Sequence, residues 1–515
     1  MNILVRAVLI VAFLTTAARA DVKLPAIISD HMVLQAGLPA PIWGWADPQE
    51  PVVVKFGEQI QTAVADAQGK WSVKLVDLKP SAAPQTLNIE GKNKLAVNNV
   101  LVGEVWLGSG QSNMAMAVKS CLELEKEKVA ANLPQLRMFS VARNSSPEAQ
   151  TDCQGTWVIC SPETVGNFSA TAYFFGRDLH AELKVPVGLI NSSWGGTTIE
   201  AWTGTATLAK LPMYPEIESR WTPLLAKPWD QAEADVKNKA AQAKWKAAAA
   251  AAKAAGKTVP RAPRALIDPR VDPNRPGNLF NGMIEPIIPY AFRGAIWYQG
   301  EANSARTYAN KYAVQLRTMI GEWRARFGHD FYFAWVQLPD YRTPQQQPVE
   351  ATQTWPIIRE QMLQALDLPK TGMAVALGLG EEKDIHPKNK QGVGFRLSRW
   401  ALHDVYQHEG PAGGPLPVEH RLSGDGIVVT FKNTDGGLKS RDGKELKGFA
   451  IAGPDLQFVW AKAEIQGNTV HVSSPEVKQP IAVRYAWADN PIWSLENGAG
   501  LPATPFRTDA EKISE

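Results

Sequence analysis

The chain has 515 residues, 45% of them hydrophobic and 20% charged, with 54 basic against 51 acidic side chains. This balance excludes an intrinsically disordered or fibrous chain, and a net charge near zero leaves no basic field to gather nucleic acid. At a typical ~150 residues per domain, the length predicts about three domains.

Residues 1–20 read as a secretory signal, with Arg6 before an apolar run from Ala7 to Leu14 and a small-x-small cleavage site at Ala18-Arg19-Ala20. That run is too short to span a bilayer and no other segment is a candidate, so the expected product is exported, secreted or periplasmic, without a membrane partner. Its removal takes two arginines and lowers the formal charge from +3 to +1. Residues 21–99 carry short, partly alternating runs (WGWADP, VVVKFGEQI, KWSVKL, TLNIEG) between Pro, Gly, Asp and Asn turns, which predicts an N-terminal β-sandwich.

From residue 100 the pattern changes to strands alternating with helices. Strands are expected at Leu101–Leu107, Leu136–Val141, Val187–Ile190, Gly294–Tyr298, Phe331–Leu338 and Met373–Leu377. Helices are expected at Tyr173–Leu183, Tyr308–Phe327, Ile357–Leu366 and Lys390–Val405. The alternation predicts an α/β domain with a parallel sheet covered on both faces. It occupies residues 100–204 and 277–408 and is interrupted at 205–276 by an Ala/Lys-rich helical insertion (KAAQAKWKAAAAAAKAAG) and a Pro/Arg stretch. Strand text returns over residues 409–515, a C-terminal β-sandwich.

The chemistry gathers where four expected strands end, because ligands of open α/β sheets sit outside the carboxyl ends of the strands. Ser112 follows the first strand in GEVWLGSGQSNM, at a turn into a helix start whose free N–H groups can stabilise a developing anion. Serine is also a preferred helix N-cap, so its assignment as a nucleophile needs partners. His386, after the sixth strand, is the candidate base, and Asp384 two residues earlier is its candidate orienting group, since Pro387 keeps the segment extended. Gly195 and Gly196, Gln299 and the Ser112 N–H are candidate oxyanion donors, with Glu301 and Asn303 as supporting side chains. No Cys/His spacing suggests zinc, and this acyl-transfer chemistry needs no cofactor. Cys153 and Cys160 are close enough in sequence to close a small loop, leaving Cys121 free, but the pairing is open.

With these residues laid out, the chain resembles the sialate O-acetylesterase family within the SGNH (GDSL-like) hydrolases. The similarity rests on SDHMVLQ, GEVWLGSGQSNM, NSSWGGTTIEAW, NGMIEPI, IWYQGEAN, DIHPKNKQGVGFRL and GLPATPFRTD, in family order along nearly the whole chain after residue 20. The resemblance implies a flavodoxin-like three-layer α/β/α domain and an esterase that removes acetyl groups from sugar hydroxyls. It assigns Ser112 as nucleophile, His386 as base, and Gly195 or Gly196 with Gln299 as the oxyanion hole. The superfamily usually places its aspartate three residues before the histidine; here that place holds Lys383, and Asp384 is one step closer. Either Asp384 completes a triad, the reading we favour, or a Ser/His dyad is helped by a backbone carbonyl.

The expected partner is an acetylated glycan or sialic acid, with acetylated plant polysaccharides (xylan or xyloglucan) as the alternative substrate. A sialate site calls for a cation, with Arg306, Arg342 and Arg359 as candidates. A neutral glycan calls for aromatic platforms, with Trp194, Trp202 and Trp297 as candidates. A different class of function, a non-catalytic glycan-binding protein, would dispense with the intact Ser112, Gln299 and His386 set.

Overall fold

The structure, a computed structural model, describes residues 21–260, 262–350 and 354–509, so the leader expected at residues 1–20 lies outside the described residues. The N-terminal part comprises β1 (Val33–Gln35), β2 (Ala40–Trp45), β3 (Pro51–Phe56), β4 (Gln59–Val64), β5 (Lys70–Leu75) and β6 (Ser81–Glu90), and leads into the 17-residue β7 (Lys94–Gly110). β2 and β5 form an antiparallel pair, whereas β3, β4 and β6 join β7.

β7 shows in its own sequence that it serves two environments. From Lys94 to Asn99 exposed and covered residues are mixed, as befits a strand with one wet face, and from Val100 to Gly110 every residue is buried, as befits a strand covered on both faces. The boundary expected between residues 99 and 100 therefore falls inside one strand. Asn99, with φ 55°, sits where the register against β6 shifts, so the change is local and the strand continues.

After β7 come α1 (Ser112–Ala115), α2 (Leu124–Ala130), β8 (Leu133–Ser140), β9 (Trp157–Cys160), α3 (Ala170–Leu183) and β10 (Val187–Ser193). The insertion follows as α4 (Thr205–Leu208), α5 (Tyr214–Ser219), α6 (Thr222–Leu225) and the long α7 (Gln231–Ala254), of which only Ala234 is buried. Then come β11 (Gly294–Tyr298), α8 (Tyr312–Phe327), β12 (Tyr332–Gln337), α9 (Thr354–Gln364), β13 (Thr371–Val375) and α10 (Lys390–Trp400). The central order is β13-β12-β11-β7-β10-β8-β9, parallel except for the antiparallel edge strand β9.

The α/β expectation holds, with β10 inserted between β7 and β8. The chain leaves β7 towards β8 on one side and returns through β11 on the other, which makes the carboxyl end of β7 a topological switch point. Helices cover both faces, and the period-2 rule shows it. Trp106 packs on Phe175 of α3 and Trp400 of α10. Trp297, aligned with Ser109, an odd number of residues along β7 from Trp106, packs on the opposite side against Trp323 of α8.

The C-terminal region holds two four-stranded sheets, one of them built from Leu416–Ser423, Gly426–Lys432, Thr469–Ser473 and Lys462–Gln466. It is fastened to the α/β part by Arg359, fully buried in α9, whose guanidinium donates to the carbonyls of Leu338, Pro339, Ala488 and Asp489 at 2.6–3.0 Å.

Candidate active site

The switch point is built by glycine. Gly110 ends β7 at φ 133°, and a Cβ there would stand 2.3 Å from the Tyr298 carbonyl oxygen, so no other residue allows the strand to lie this close to β11. The next two contacts anchor the turn: the Gln111 N–H donates to Tyr298 O at 2.9 Å and the Trp194 N–H to Gly110 O at 3.0 Å. Loops from β7, β10 and β11 thus meet, and Ser112 stands at the first position of α1. Gly195 lies directly against it, since a Cβ on Gly195 would be 3.1 Å from Ser112 Cβ. The backbone N–H groups of Ser112 and Gly195 find no acceptor among the described residues. They are free to donate to a developing oxyanion.

The loop carrying His386 reaches this turn through Asn113. The Asn113 amide donates to Ile385 O at 3.0 Å and to Glu301 Oε1 at 2.5 Å, while its oxygen accepts from Lys390 Nζ at 2.6 Å. The immediate neighbours of the hydroxyl and of the imidazole are therefore hydrogen-bonded across 272 residues. The Ser112 hydroxyl itself makes no hydrogen bond among the described residues, the open state common in ligand-free sites. Asp384 Oδ1 accepts from the His386 backbone N–H at 2.9 Å and lies 3.3 Å from His386 Nδ1, with both side chains close to half exposed.

Gln299 requires a correction. It is fully buried, and its amide donates to Thr197 O at 3.0 Å and Asn303 Oδ1 at 2.7 Å, while its oxygen accepts from the Tyr312 hydroxyl at 2.6 Å. A carbonyl such as Thr197 O only accepts, so the amide cannot be flipped, and both N–H groups are spent. Gln299 is a brace between the loops after β10 and β11, where the resemblance assigned an oxyanion donor. Asn303 does the same work, accepting from the Ile199 N–H at 3.0 Å and donating to Glu200 at 3.1 Å.

Most side chains expected to grip the sugar are elsewhere. Trp202 and Trp297 are fully buried and packed edge to face, so neither is a platform. Arg359 is the fastener described above, and Arg342 pairs with Asp489 at 2.5 Å. Arg306, on the loop after β11, is half-buried, with its Nε atom buried and unpartnered among the described residues. Trp194, half-buried beside Gly195, remains at the crevice, and the exposed Arg143 lies over its ring at 5.7 Å. All three cysteines are free, so the loop closure open to Cys153 and Cys160 is not made. Burial pushes their thiols up, Cys121 to about 11 and the other two to about 12.

Two residues escaped the sequence reading, Asn113 and Lys390. Asn113 follows Ser112 directly, and nothing local marks it. Lys390 had a legible signal: a lysine in the first turn of a helix opposes the macrodipole, and a local rule broken without evident gain points to a site.

This geometry defines a class, an open parallel α/β sheet with a serine at the switch point and the loop that carries His386 tied to the serine turn. Comparison with known proteins narrows the class. Residues 102–253 and 274–399 match the family described as carbohydrate esterase, sialic acid-specific acetylesterase. The chain is 34% identical to a carbohydrate acetylesterase from Xanthomonas citri of known structure, covering 95% of this chain and 100% of that one, with a TM-score of 0.80. It is 28% identical to the sialate O-acetylesterase of Mus musculus over 97% of this chain and 96% of the relative, and 27% identical to that of Homo sapiens over 93% and 91%. The chain belongs to this carbohydrate esterase family, and it is a carbohydrate O-acetylesterase. That finding weighs against a purely glycan-binding role.

Proposed function

We propose that the enzyme hydrolyses acetyl esters of sugar hydroxyls through a serine acetyl-enzyme, with Ser112 as nucleophile, His386 as general base and Asp384 steadying the imidazole. In the first step His386 takes the Ser112 proton while the serine oxygen attacks the acetyl carbonyl, whose oxyanion is received by the Ser112 and Gly195 N–H groups. Collapse releases the sugar alcohol with the proton from His386. Water, deprotonated by the same imidazole, then frees acetate and restores the serine. The observation that carries this reading is the Asn113 amide bonded to Ile385 O, which ties the serine turn to the histidine loop in one crevice.

Trp194 supplies an apolar face for a sugar ring beside the nucleophile, and Arg143 above it supplies a cation suited to the carboxylate of sialic acid. This supports a sialate O-acetylesterase-like preference over acetylated xylan or xyloglucan. The enzyme acts outside the cytoplasm, secreted or periplasmic, on the strength of the leader text alone.

The test is acetate release from an aryl acetate by the parent enzyme and Ser112→Ala. Loss of all but trace activity in the variant is expected, and equal rates would remove Ser112 as nucleophile. Substrate preference is read by comparing acetylated sialic acid with acetylated plant oligosaccharides. Faster release from the neutral oligosaccharides would overturn the sialate preference.

A further inference from the structure

Resting on the assignment of Ser112 and His386, we infer that Lys390 is a positioning residue of this site: its buried ammonium, acting through Asn113, fixes the histidine loop at its working distance from the serine turn. Lys390 is fully buried at the start of α10, with Asn389 as the helix cap accepting from the Gly392 N–H at 2.9 Å. Its Nζ donates to Asn113 Oδ1 at 2.6 Å and to Pro387 O at 2.7 Å, and lies 5.2 Å from the centroid of the Tyr298 ring. Asn113 in turn donates to Ile385 O. The carbonyls on both sides of His386 are therefore held by one bracket, Asn113 on Ile385 and Lys390 on Pro387. Glu301 closes the network through Asn113, with its second oxygen buried and unpartnered among the described residues.

Burying an ammonium and a carboxylate carries a heavy desolvation cost, and an apolar pair of similar volume would pack as well without it. Placing the cation at a helix N-terminus adds an unfavourable dipole. What the charges supply is geometry. An amide oxygen facing a donor-only ammonium, with its nitrogen between a carboxylate and a carbonyl, has a single orientation, so Asn113 spaces two loops without slack.

The bracket is pH-sensitive. The charged and titratable groups facing Lys390 are Cys121, Glu301, Asp384, Glu381 and Tyr298, whose phenol is held well above its ordinary range by burial. Burial pushes the Lys390 ammonium down to about 8, while it raises the Cys121 thiol to about 11 and holds the Glu301 carboxyl above its ordinary range. As pH rises through about 8, Lys390 loses its proton. Its charge-assisted bonds then revert to neutral ones about half as strong, and the histidine loop loosens.

The experiment measures kcat and KM for an aryl acetate between about pH 6 and about 9.5 in the parent, Lys390→Met and Glu301→Gln, with thermal melting of each. The parent kcat is expected to fall on the alkaline side near pH 8. Lys390→Met lowers kcat at neutral pH roughly 10- to 100-fold with KM little changed, and abolishes the alkaline fall. Glu301→Gln removes a charge that favours the ammonium, so the fall moves to lower pH; a merely structural role would leave it in place. Should Lys390→Met not fold, Glu301→Gln carries the test. A parental kcat in folded Lys390→Met, or an unmoved alkaline fall in Glu301→Gln, overturns the inference. Full activity in Ser112→Ala would strike instead at the esterase assignment on which it rests.

Discussion

The sharpest perturbation of the crevice is one methyl group on Gly195. A Cβ there would meet Ser112 Cβ at 3.1 Å and Ser112 Cα at 3.4 Å. Carbon atoms in good contact stand about 3.5–4.0 Å apart, so Gly195→Ala must displace the serine turn or its own N–H by about half an ångström. A misplacement of about 1 Å costs on the order of 100-fold in rate, so about half that displacement predicts roughly a tenfold loss in kcat, or about 1.4 kcal/mol of barrier. Overpacking of this kind also costs about 1 kcal/mol of stability. Gly196→Ala is the matched control. Gly196 has φ 75° with nothing within 4 Å of a Cβ, so alanine there suffers left-handed backbone strain of about 1 kcal/mol and touches nothing. The two variants are expected to lose similar stability in denaturant unfolding, while only Gly195→Ala loses kcat in an aryl acetate assay. Equal kcat losses in the two variants, or none in Gly195→Ala, would refute the placement of Gly195 against a reacting serine.

Asp384→Asn is expected to lower kcat by less than about tenfold, because the Asp384–His386 contact is solvent-exposed and such pairs are worth about 0–1 kcal/mol; a loss near 10⁴-fold would mean that Asp384 behaves as a buried triad aspartate. Arg359→Met leaves four carbonyls without their donor and should destabilise the fold by about 3–5 kcal/mol in denaturant unfolding, with the C-terminal region first to become protease-sensitive. At Asp509 burial pushes the carboxyl up, but Arg484 at 2.9 Å and Arg507 at 3.2 Å outweigh it and hold it below the ordinary carboxylate range. Its folded-state pKa is thus depressed, so its stabilisation is present above the unfolded pKa and lost as pH falls through the folded one. Asp509→Asn should therefore flatten the acid side of a melting-temperature profile, and an unchanged acid slope would discount the pair.

Much of the site was legible because strand ends announce themselves. Gly108-Ser109-Gly110 before Ser112 and the Gly195-Gly196 pair mark places where the backbone must turn tightly, and such demands are written locally. The extension expected before Pro387 is not made: residues 382–386 turn and bend, with Asp384 accepting from the His386 N–H two residues on. The helices were legible as stretches alternating with the strands, though their first turns were not: α3 starts at Ala170, ahead of the expected Tyr173, because Ser169 caps it, and α8 starts at Tyr312 and ends at Gly328 in the left-handed region. Gln299 was not legible: an amide looks the same in sequence whether its hydrogens face a substrate or the Thr197 carbonyl. The tryptophans misled for a related reason, since an aromatic residue is equally suited to a core and to a sugar face, and Trp202 and Trp297 went to the core.

By itself the sequence determined the α/β alternation and the turn at Ser112, because backbone preferences act over a few residues. Tertiary structure decided that β7 runs unbroken from the N-terminal sheet to the crevice, that Gln299 braces where a donor was expected, and that Asn113 joins Lys390, Glu301 and the histidine loop. Those outcomes depend on which groups are left without water and must find partners across hundreds of residues, and no local pattern encodes that.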